Sequence, residues 1–300
     1  MPRLHAIVLG SAAGGGVPQW NCCCPICRLA WSGDQRVKPR TQTALAVSAD
    51  ADNWTLINAS PDLRLQISTC PVLQPRGEKR ASPIAAVVLT GGEIDQVAGL
   101  LHMREGGRYV LLGTAETLGV VNDNSMFNVL SPGVTRRTVS PGEPFALPCG
   151  MEAELFCVPG KVPLYLEDDN PRIGEESGAN VGVEIRAGGT RLAFVPGAAA
   201  ITPRLLERLA RADIVLFDGT LFHDDEMIAA GVGTKTGRRM GHVSIAGEDG
   251  SLAALARLKC RCIYIHINNT NPILIEDSPE RRQVEKAGIE VAYDGMEIAP

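Results

Sequence analysis

Aromatic residues are scarce, 4% of the 300-residue chain, and no apolar run comes near the ~20 residues that a membrane-spanning helix requires. The first scarcity argues against a base-stacking platform for nucleic acid, the second against a membrane span. Positive charge is not in excess either. Lysines and arginines number 29 against 34 aspartates and glutamates, a net charge of −5, so no overall basic field draws in nucleic acid. No secretory leader is expected, because the apolar stretch at 6–9 falls short of the roughly 7–15 residues of a signal core. It reads instead as a first buried strand ending at Gly10, and the expected location is the cytoplasm. The remaining composition, 45% hydrophobic and 21% charged, is that of a folded globular chain and excludes disordered, collagen-like and disulfide-scaffold classes. At ~150 residues per domain the length allows two domains, or one large α/β or sandwich domain.

Cysteine, by contrast, is plentiful and clustered. Nine cysteines, an odd number, cannot all pair within one chain. In a reducing compartment, clustered cysteines bind metal more often than they form disulfides. The run Asn21-Cys22-Cys23-Cys24-Pro25-Ile26-Cys27 holds C-x-C-x-x-C at Cys22, Cys24 and Cys27. Soft thiolates at this spacing in a tight turn can converge on one tetrahedral Zn²⁺, with a fourth donor from elsewhere or from Cys23. Three close ligands without an evident opening favour a structural ion over a catalytic one. A set of reactive or buried thiols is the alternative. The glycine-rich stretch at 10–16 lacks GxGxxG and reads as a tight turn, not a nucleotide-phosphate loop.

Short apolar runs bounded by Gly, Pro or Asn predict strands at 4–9, 43–47, 54–58, 85–90, 109–112, 154–158, 181–185, 192–196, 214–218 and 262–267. Helical periodicity predicts helices at 93–101, 115–122, 203–212, 251–258 and 279–287. In the third of these, Leu205, Leu206 and Leu209 recur at helical spacing behind a Thr202 cap and Pro203 in the first turn. Early strands arrive hairpin-style and later ones alternate with helices, a mixture that predicts packed sheets with helices outside. The polar stretches 159–176 and 231–241 read as irregular loops of functional or mobile kind.

Polar residues close several of the predicted strands. Glu93 and Asp95 follow the strand at 85–90, two apart, where they can converge on one ion or proton, or cap a helix. Asp218-Gly219-Thr220 ends another strand, and His266 to Asn271 follows a third. Met240-Gly241-His242-Val243-Ser244 is a further polar segment. Any one of these reads as structural. The constellation of Asp95, Asp218, His242 and His266 is what predicts a site assembled at one rim of the sheets. His5, His102 and His223 read as ordinary surface or core residues.

The blocks VLGSAAGGGVPQWNC, NASPD, LTGGEIDQVAGLL, VPGKVPLYLED, LFDGT, VGTKTGRRMGH and HINNTNPIL extend from Val8 to Leu274. Together they resemble the pyrroloquinoline quinone (PQQ) biosynthesis protein B family, which is similar to metallo-β-lactamase-fold proteins. The resemblance implies an α/β fold, an αββα sandwich formed as a single domain over 1–300, with a Cys-rich zinc-binding segment at about 20–30. It places Gly91, Glu93 and Gln96 where the superfamily's HxHxDH motif has histidines, while Asp95 keeps the aspartate. Asp218 matches the superfamily's later ligand aspartate and His266 its last ligand histidine. His242 resembles a proton-donor histidine of related phosphodiesterases. In those relatives a histidine completes the structural zinc site, at the place held here by Asn269, a poor zinc ligand.

A dinuclear hydrolase needs more histidines than this motif retains. Asp95, Asp218 and His266, with Glu93 as a further oxygen donor, resemble the mononuclear iron arrangement with open positions for oxygen. The resemblance accordingly implies an Fe²⁺-dependent (or other divalent-metal) oxygenase, with Asp95 and His242 catalytic, that hydroxylates the tyrosine ring of a cross-linked Glu–Tyr precursor. Other PQQ biosynthesis proteins would be its partners. For a substrate with several carboxylates, Lys235, Arg238, Arg239, Lys161 and Arg64 are the candidate binding residues, since guanidinium matches carboxylate geometry. A solvated basic loop is the alternative for the stretch around Lys235. Two other functions stay open: a non-catalytic carrier of PQQ or its precursor, and, more weakly, a phosphodiesterase-like hydrolase.

Overall fold

The computed structural model describes residues 3–77, 79–130 and 132–299. Among them the strands run, in chain order, β1 (His5–Gly10), β2 (Ala44–Ser48), β3 (Trp54–Ile57), β4 (Ile84–Val88), β5 (Tyr109–Gly113), β6 (Val134–Thr138), β7 (Pro144–Ala146), β8 (Glu152–Gly160), β9 (Glu175–Ala187), β10 (Thr190–Val195), β11 (Ile214–Asp218), β12 (Arg261–Ile265), β13 (Ile289–Val291) and β14 (Glu297–Ile298). They form two seven-stranded sheets, ordered β14-β1-β2-β3-β4-β5-β6 and β13-β12-β11-β10-β9-β8-β7. In each sheet one half is antiparallel and the other, β3–β6 or β10–β13, is parallel.

The period-two alternation of a strand decides which face each residue buries. Val88, Phe194, Leu216 and Ile263 point into the layer between the sheets. Their neighbours Val87 and, on the second sheet, Val195, Phe217 and Tyr264 point outward to helices. Leu63, Leu100, Leu118 and Val121 cover the first sheet, and Leu205, Leu209, Leu255 and Val284 the second. The result is an αββα sandwich whose central strands are buried on both faces. That is why they read as continuous apolar runs.

Each predicted strand has a counterpart within a few residues. The strands β6, β7, β13 and β14 were not predicted. All are short or lie at sheet edges, and β6 is Val-Thr-Arg-Arg-Thr, too polar to stand out. The helix at Pro203–Leu209 forms as expected: the Thr202 hydroxyl accepts from the Leu205 N–H at 3.2 Å, and Leu205 and Leu209 take the buried face. The helix expected over 93–101 is one α-turn, Ile94–Val97, followed by a 3₁₀ segment, Ala98–Met103. Gly99 lies so close to the neighbouring chain that a Cβ would come within 2.1 Å of the Ser60 carbonyl oxygen, and the helix tightens to allow that approach. The stretch 159–176 is not wholly irregular. Its ends pair, Pro159 with Glu176 and Gly160 with Glu175, and leave residues 161–174 as a strap between β8 and β9. Within 231–241 a helical turn, Gly237–Met240, is capped by Thr236. No helix among the described residues is long and apolar enough to cross a membrane.

Parallel strands share a direction, so β4, β10, β11 and β12 deliver polar residues to a common rim. The two sheets are tied there by the Val181 N–H donating to the Thr90 carbonyl at 2.9 Å and by a bridge between Gly91 and Asn180.

Candidate metal centre

Asp218 closes β11 with a fully buried carboxylate. Its Oδ1 accepts from the Thr220 N–H (3.0 Å) and hydroxyl (2.6 Å). Its Oδ2 accepts from the Ala198 N–H (2.9 Å) and lies 2.7 Å from His242 Nδ1. The Thr220 hydroxyl also lies 2.8 Å from His266 Nδ1. On the other side of that ring, His266 Nε2 is 3.0 Å from Asp95 Oδ2. The His242 and His266 rings stack with centroids 5.2 Å apart. Nitrogen and oxygen atoms of Asp218, His242 and His266 all fall within 4.8 Å of one another, close enough to share one ion.

Burial opposes charge on these groups, but they offset it among themselves. His242 and His266 hold the Asp218 carboxyl below its usual range, with help from Thr220. His266 does the same for Asp95. Asp95 and Asp218 raise the His266 imidazole above its ordinary value despite full burial. In this state His266 holds a proton that a bound cation would displace, the cation taking over the role of counter-charge to both carboxylates. His266 itself adopts φ of +59°, a left-handed conformation that costs a non-glycine residue of order 1–3 kcal/mol. The loop after it is pinned to absorb this: the Ala13 N–H donates to the Ile267 carbonyl (2.9 Å) and the Ile267 N–H to the Ser11 carbonyl (3.0 Å).

The cysteine run supplies a second pin. Cys22, Cys24 and Cys27 are buried with their sulfurs grouped at the start of the helix Pro25–Trp31. The N–H groups of Cys24 and Cys27 point at Cys22 Sγ and Cys24 Sγ, each at 3.4 Å. Burial pushes the Cys24 thiol up to about 12. For Cys22 burial also raises it, but the Cys24 N–H and the neighbouring thiols outweigh that and lower it. Asn269 completes the group, its amide Nδ2 3.2 Å from Cys22 Sγ and 3.3 Å from Cys27 Sγ. The cluster therefore grips the loop three residues beyond His266.

A cavity of about 360 Å³ opens over Asp95, His242 and His266, a size that suits a compact ring system. Glu93 lines it, but its Oε1 accepts from Lys161 Nζ (3.0 Å) and the Leu164 N–H (3.1 Å) on the strap. Lys161 and Lys235 line it too. Arg239 reaches the same wall through Glu167, its Nη2 2.9 Å from Glu167 Oε2. Two of the basic candidates lie elsewhere. Arg64 is exposed on the helix Leu63–Thr69, because Leu63 and Gln66 take its buried face. Arg238 lines a separate, larger hollow of about 1040 Å³ that none of Asp95, Asp218, His242 or His266 reaches, and Arg239 lines that hollow too, meeting the site's cavity only through Glu167.

Two residues on which the site depends had no role in the sequence reading. Thr220 links both histidines and Asp218. Its signal was a hydroxyl two residues after a strand-end aspartate. Glu167 lies in a polar stretch with no periodic pattern to mark it. At Gly91 a Cβ would come within 2.4 Å of Gln96 Oε1 and 3.2 Å of the Ala179 carbonyl oxygen, so a histidine there would require the Gln96 side chain to swing away. Gln96 Oε1 accepts from the Glu93 N–H at 3.2 Å.

Two mixed sheets under helices, with ligand-type side chains at one rim, define a metallo-β-lactamase fold, and residues 53–267 match the beta-lactamase superfamily domain. The chain is 56% identical over 297 residues to the coenzyme PQQ synthesis protein B of Methylobacterium sp. (strain 4-46), covering 98% of this chain and 99% of that one. It is 53% identical to that of Rhizobium meliloti (strain 1021), covering 98% and 97%. The crystal structure of Zn²⁺-bound PqqB from Methylobacterium extorquens superposes with a TM-score of 0.97 at 54% identity, over 99% of this chain and all of that one. A diphosphatase from the PhnP family, 22% identical with a TM-score of 0.68 over 99% and 96% of the two chains, shares the fold alone. The chain belongs to the coenzyme PQQ synthesis protein B family.

Proposed function

We propose that this protein is an iron-dependent oxygenase of PQQ biosynthesis that hydroxylates the tyrosine ring of a cross-linked Glu–Tyr precursor. The convergence of Asp95, Asp218, His242 and His266 beneath one cavity carries the reading. Two imidazoles and two carboxylates form a mixed nitrogen and oxygen donor set that suits a divalent transition ion while leaving positions open. A ferrous ion bound there would supply the oxygen-activating chemistry. The chain's own residues do the rest. Thr220 fixes the ring orientations of both histidines. His242, partly exposed to the cavity, can hold or pass a proton. Lys161, Lys235 and Arg239 offer counter-charges for a substrate rich in carboxylates.

A structural Zn²⁺ on Cys22, Cys24 and Cys27 fits the buried, N–H-supported thiols, and a relative 54% identical to this chain binds Zn²⁺. Asn269 would complete that site through its amide oxygen, the amide being turned over from the orientation described above. All nine cysteines are free, which fits a reducing compartment such as the cytoplasm.

The test is anaerobic iron loading, addition of the cross-linked amino acid and a two-electron reductant such as ascorbate, which reduces the second oxygen atom to water, and then oxygen, with product mass measured. The expected result is a product heavier by one oxygen atom. The close packing of Gly91 against Gln96, which replaces metal-binding histidines, favours a second reading: a carrier of PQQ or its precursor. Tight binding of PQQ with no mass gain, in a folded and metal-loaded sample, would select the carrier.

A further inference from the structure

The strap at residues 161–174 crosses the mouth of the cavity, and charge holds it there more than apolar packing does. Val162, Leu164, Tyr165 and Leu166 are all exposed. Glu167, next in sequence, is the opposite: its side chain is 7% exposed. Its carboxylate lies 3.0 Å from Lys161 Nζ, 2.9 Å from Arg239 Nη2 and 4.0 Å from Lys235 Nζ. Arg239 and Lys161 hold that carboxyl at about 2. Three cations thus surround one carboxylate at the wall of the cavity that contains His242 and His266; Lys161 belongs to the strap itself, so Lys235 and Arg239 are the two that hold it from outside.

We propose that Glu167 stands in for a ligand carboxylate: Lys161, Lys235 and Arg239 form a carboxylate subsite, and an incoming small molecule with several carboxylates takes it over, displacing Glu167 and releasing the strap. The proposal rests on the reading that the cavity receives such a ligand. Exchanging one carboxylate for another leaves no buried cation unpaired, which is the costly outcome in a desolvated site. Lys161 keeps Glu93 as a partner throughout. Glu167 moves into water, where a carboxylate needs no partner. Because Val162, Leu164, Tyr165 and Leu166 are already exposed, opening the strap gives up mainly the burial of Pro163 against Gly92. The remaining ties are few: the Leu164 N–H on Glu93, the Tyr165 hydroxyl on the Gly92 carbonyl, and the Gly174 N–H on the Gly160 carbonyl.

The test is calorimetric titration of wild type, Glu167→Gln and Lys235→Met with PQQ and, separately, with citrate as a plain tricarboxylate. Removing the competing charge should tighten both ligands about tenfold in Glu167→Gln, the equivalent of one lost competing ion pair, and Lys235→Met should weaken both. Equal or weaker binding by Glu167→Gln, with PQQ still bound by wild type, overturns the exchange and leaves the function reading standing. Tighter citrate binding by Glu167→Gln with no PQQ binding by any form keeps the subsite and overturns the reading that the cavity receives a PQQ-type ligand. Binding of neither ligand by any form overturns both. Hydrogen exchange on wild type guards against a misfolded variant. Whichever of the two ligands binds should deprotect the Leu164 and Gly174 amides, whose bonds to Glu93 and Gly160 tie the strap down, and unchanged or increased protection contradicts the proposal.

Discussion

The Thr220 hydroxyl lies 2.8 Å from His266 Nδ1 and 2.6 Å from Asp218 Oδ1. One small side chain therefore sets the spacing between a histidine and a carboxylate carried by different strands. Thr220→Val preserves the shape and removes the hydroxyl. Loss of such a supporting bond costs about 10–100-fold in metal affinity. A competition titration with ferrous ion should show that loss, and wild-type affinity in a folded Thr220→Val would show that the hydroxyl does not position the ligands.

The cysteine cluster and the His266 loop are joined through Asn269, so zinc should stabilise the site as well as the N-terminal segment. Cys27→Ser is expected to release zinc, lower the melting temperature and weaken metal binding at His266. Asn269→His should hold zinc against a chelator longer than wild type does, because imidazole is a better zinc donor than an amide. Elemental analysis after graded chelator treatment measures both.

Asp294 fastens the C-terminal segment to two N-terminal loops. Its carboxylate accepts from the Ser11 N–H (3.0 Å) and hydroxyl (2.8 Å), and from the Thr41 N–H (2.6 Å) and hydroxyl (2.7 Å). Asp294→Ala leaves buried donors unsatisfied beside the buried Arg40 and should cost about 3–5 kcal/mol. Urea denaturation reads this directly.

Glu226 gives the protein a pH-dependent stability. Burial pushes its carboxyl up to about 7 from an ordinary 4.5, against the bonds it accepts from the Thr270 hydroxyl and the Phe222 N–H. The folded state holds this proton more tightly than the unfolded chain. Its contribution is thus present below the ordinary carboxyl value and is lost as pH rises to about 7, by about 3 kcal/mol. Glu226→Gln should flatten the decline in unfolding free energy between pH 5 and pH 7.5, in denaturant titrations at about those values. An unchanged slope would place the titrating group elsewhere.

Much of this architecture was legible because double burial writes itself into sequence. Strands such as Ile214–Asp218 need apolar residues on both faces, and their polar ends mark where the sandwich stops. Asp95, Asp218 and His266 were visible for that reason. The edge strand Val134–Thr138 has an exposed, polar composition and left no such mark. Glu167 and the strap were illegible because their placement depends on Lys161, Lys235 and Arg239, contacts of long sequence separation that no local pattern encodes. Arg64 and Arg238 lie away from the cavity over the two histidines: their charge type was visible, but the direction in which a short helix turns it was not.

The central claim is that Asp95, Asp218, His242 and His266 grip one transition ion. Anaerobic calorimetry with ferrous ion, on zinc-loaded wild type, Asp218→Ala and His266→Ala, tests it most directly. The account predicts saturable uptake by wild type that is abolished in both variants while their zinc content stays unchanged. Uptake by Asp218→Ala and His266→Ala equal to that of wild type would contradict it.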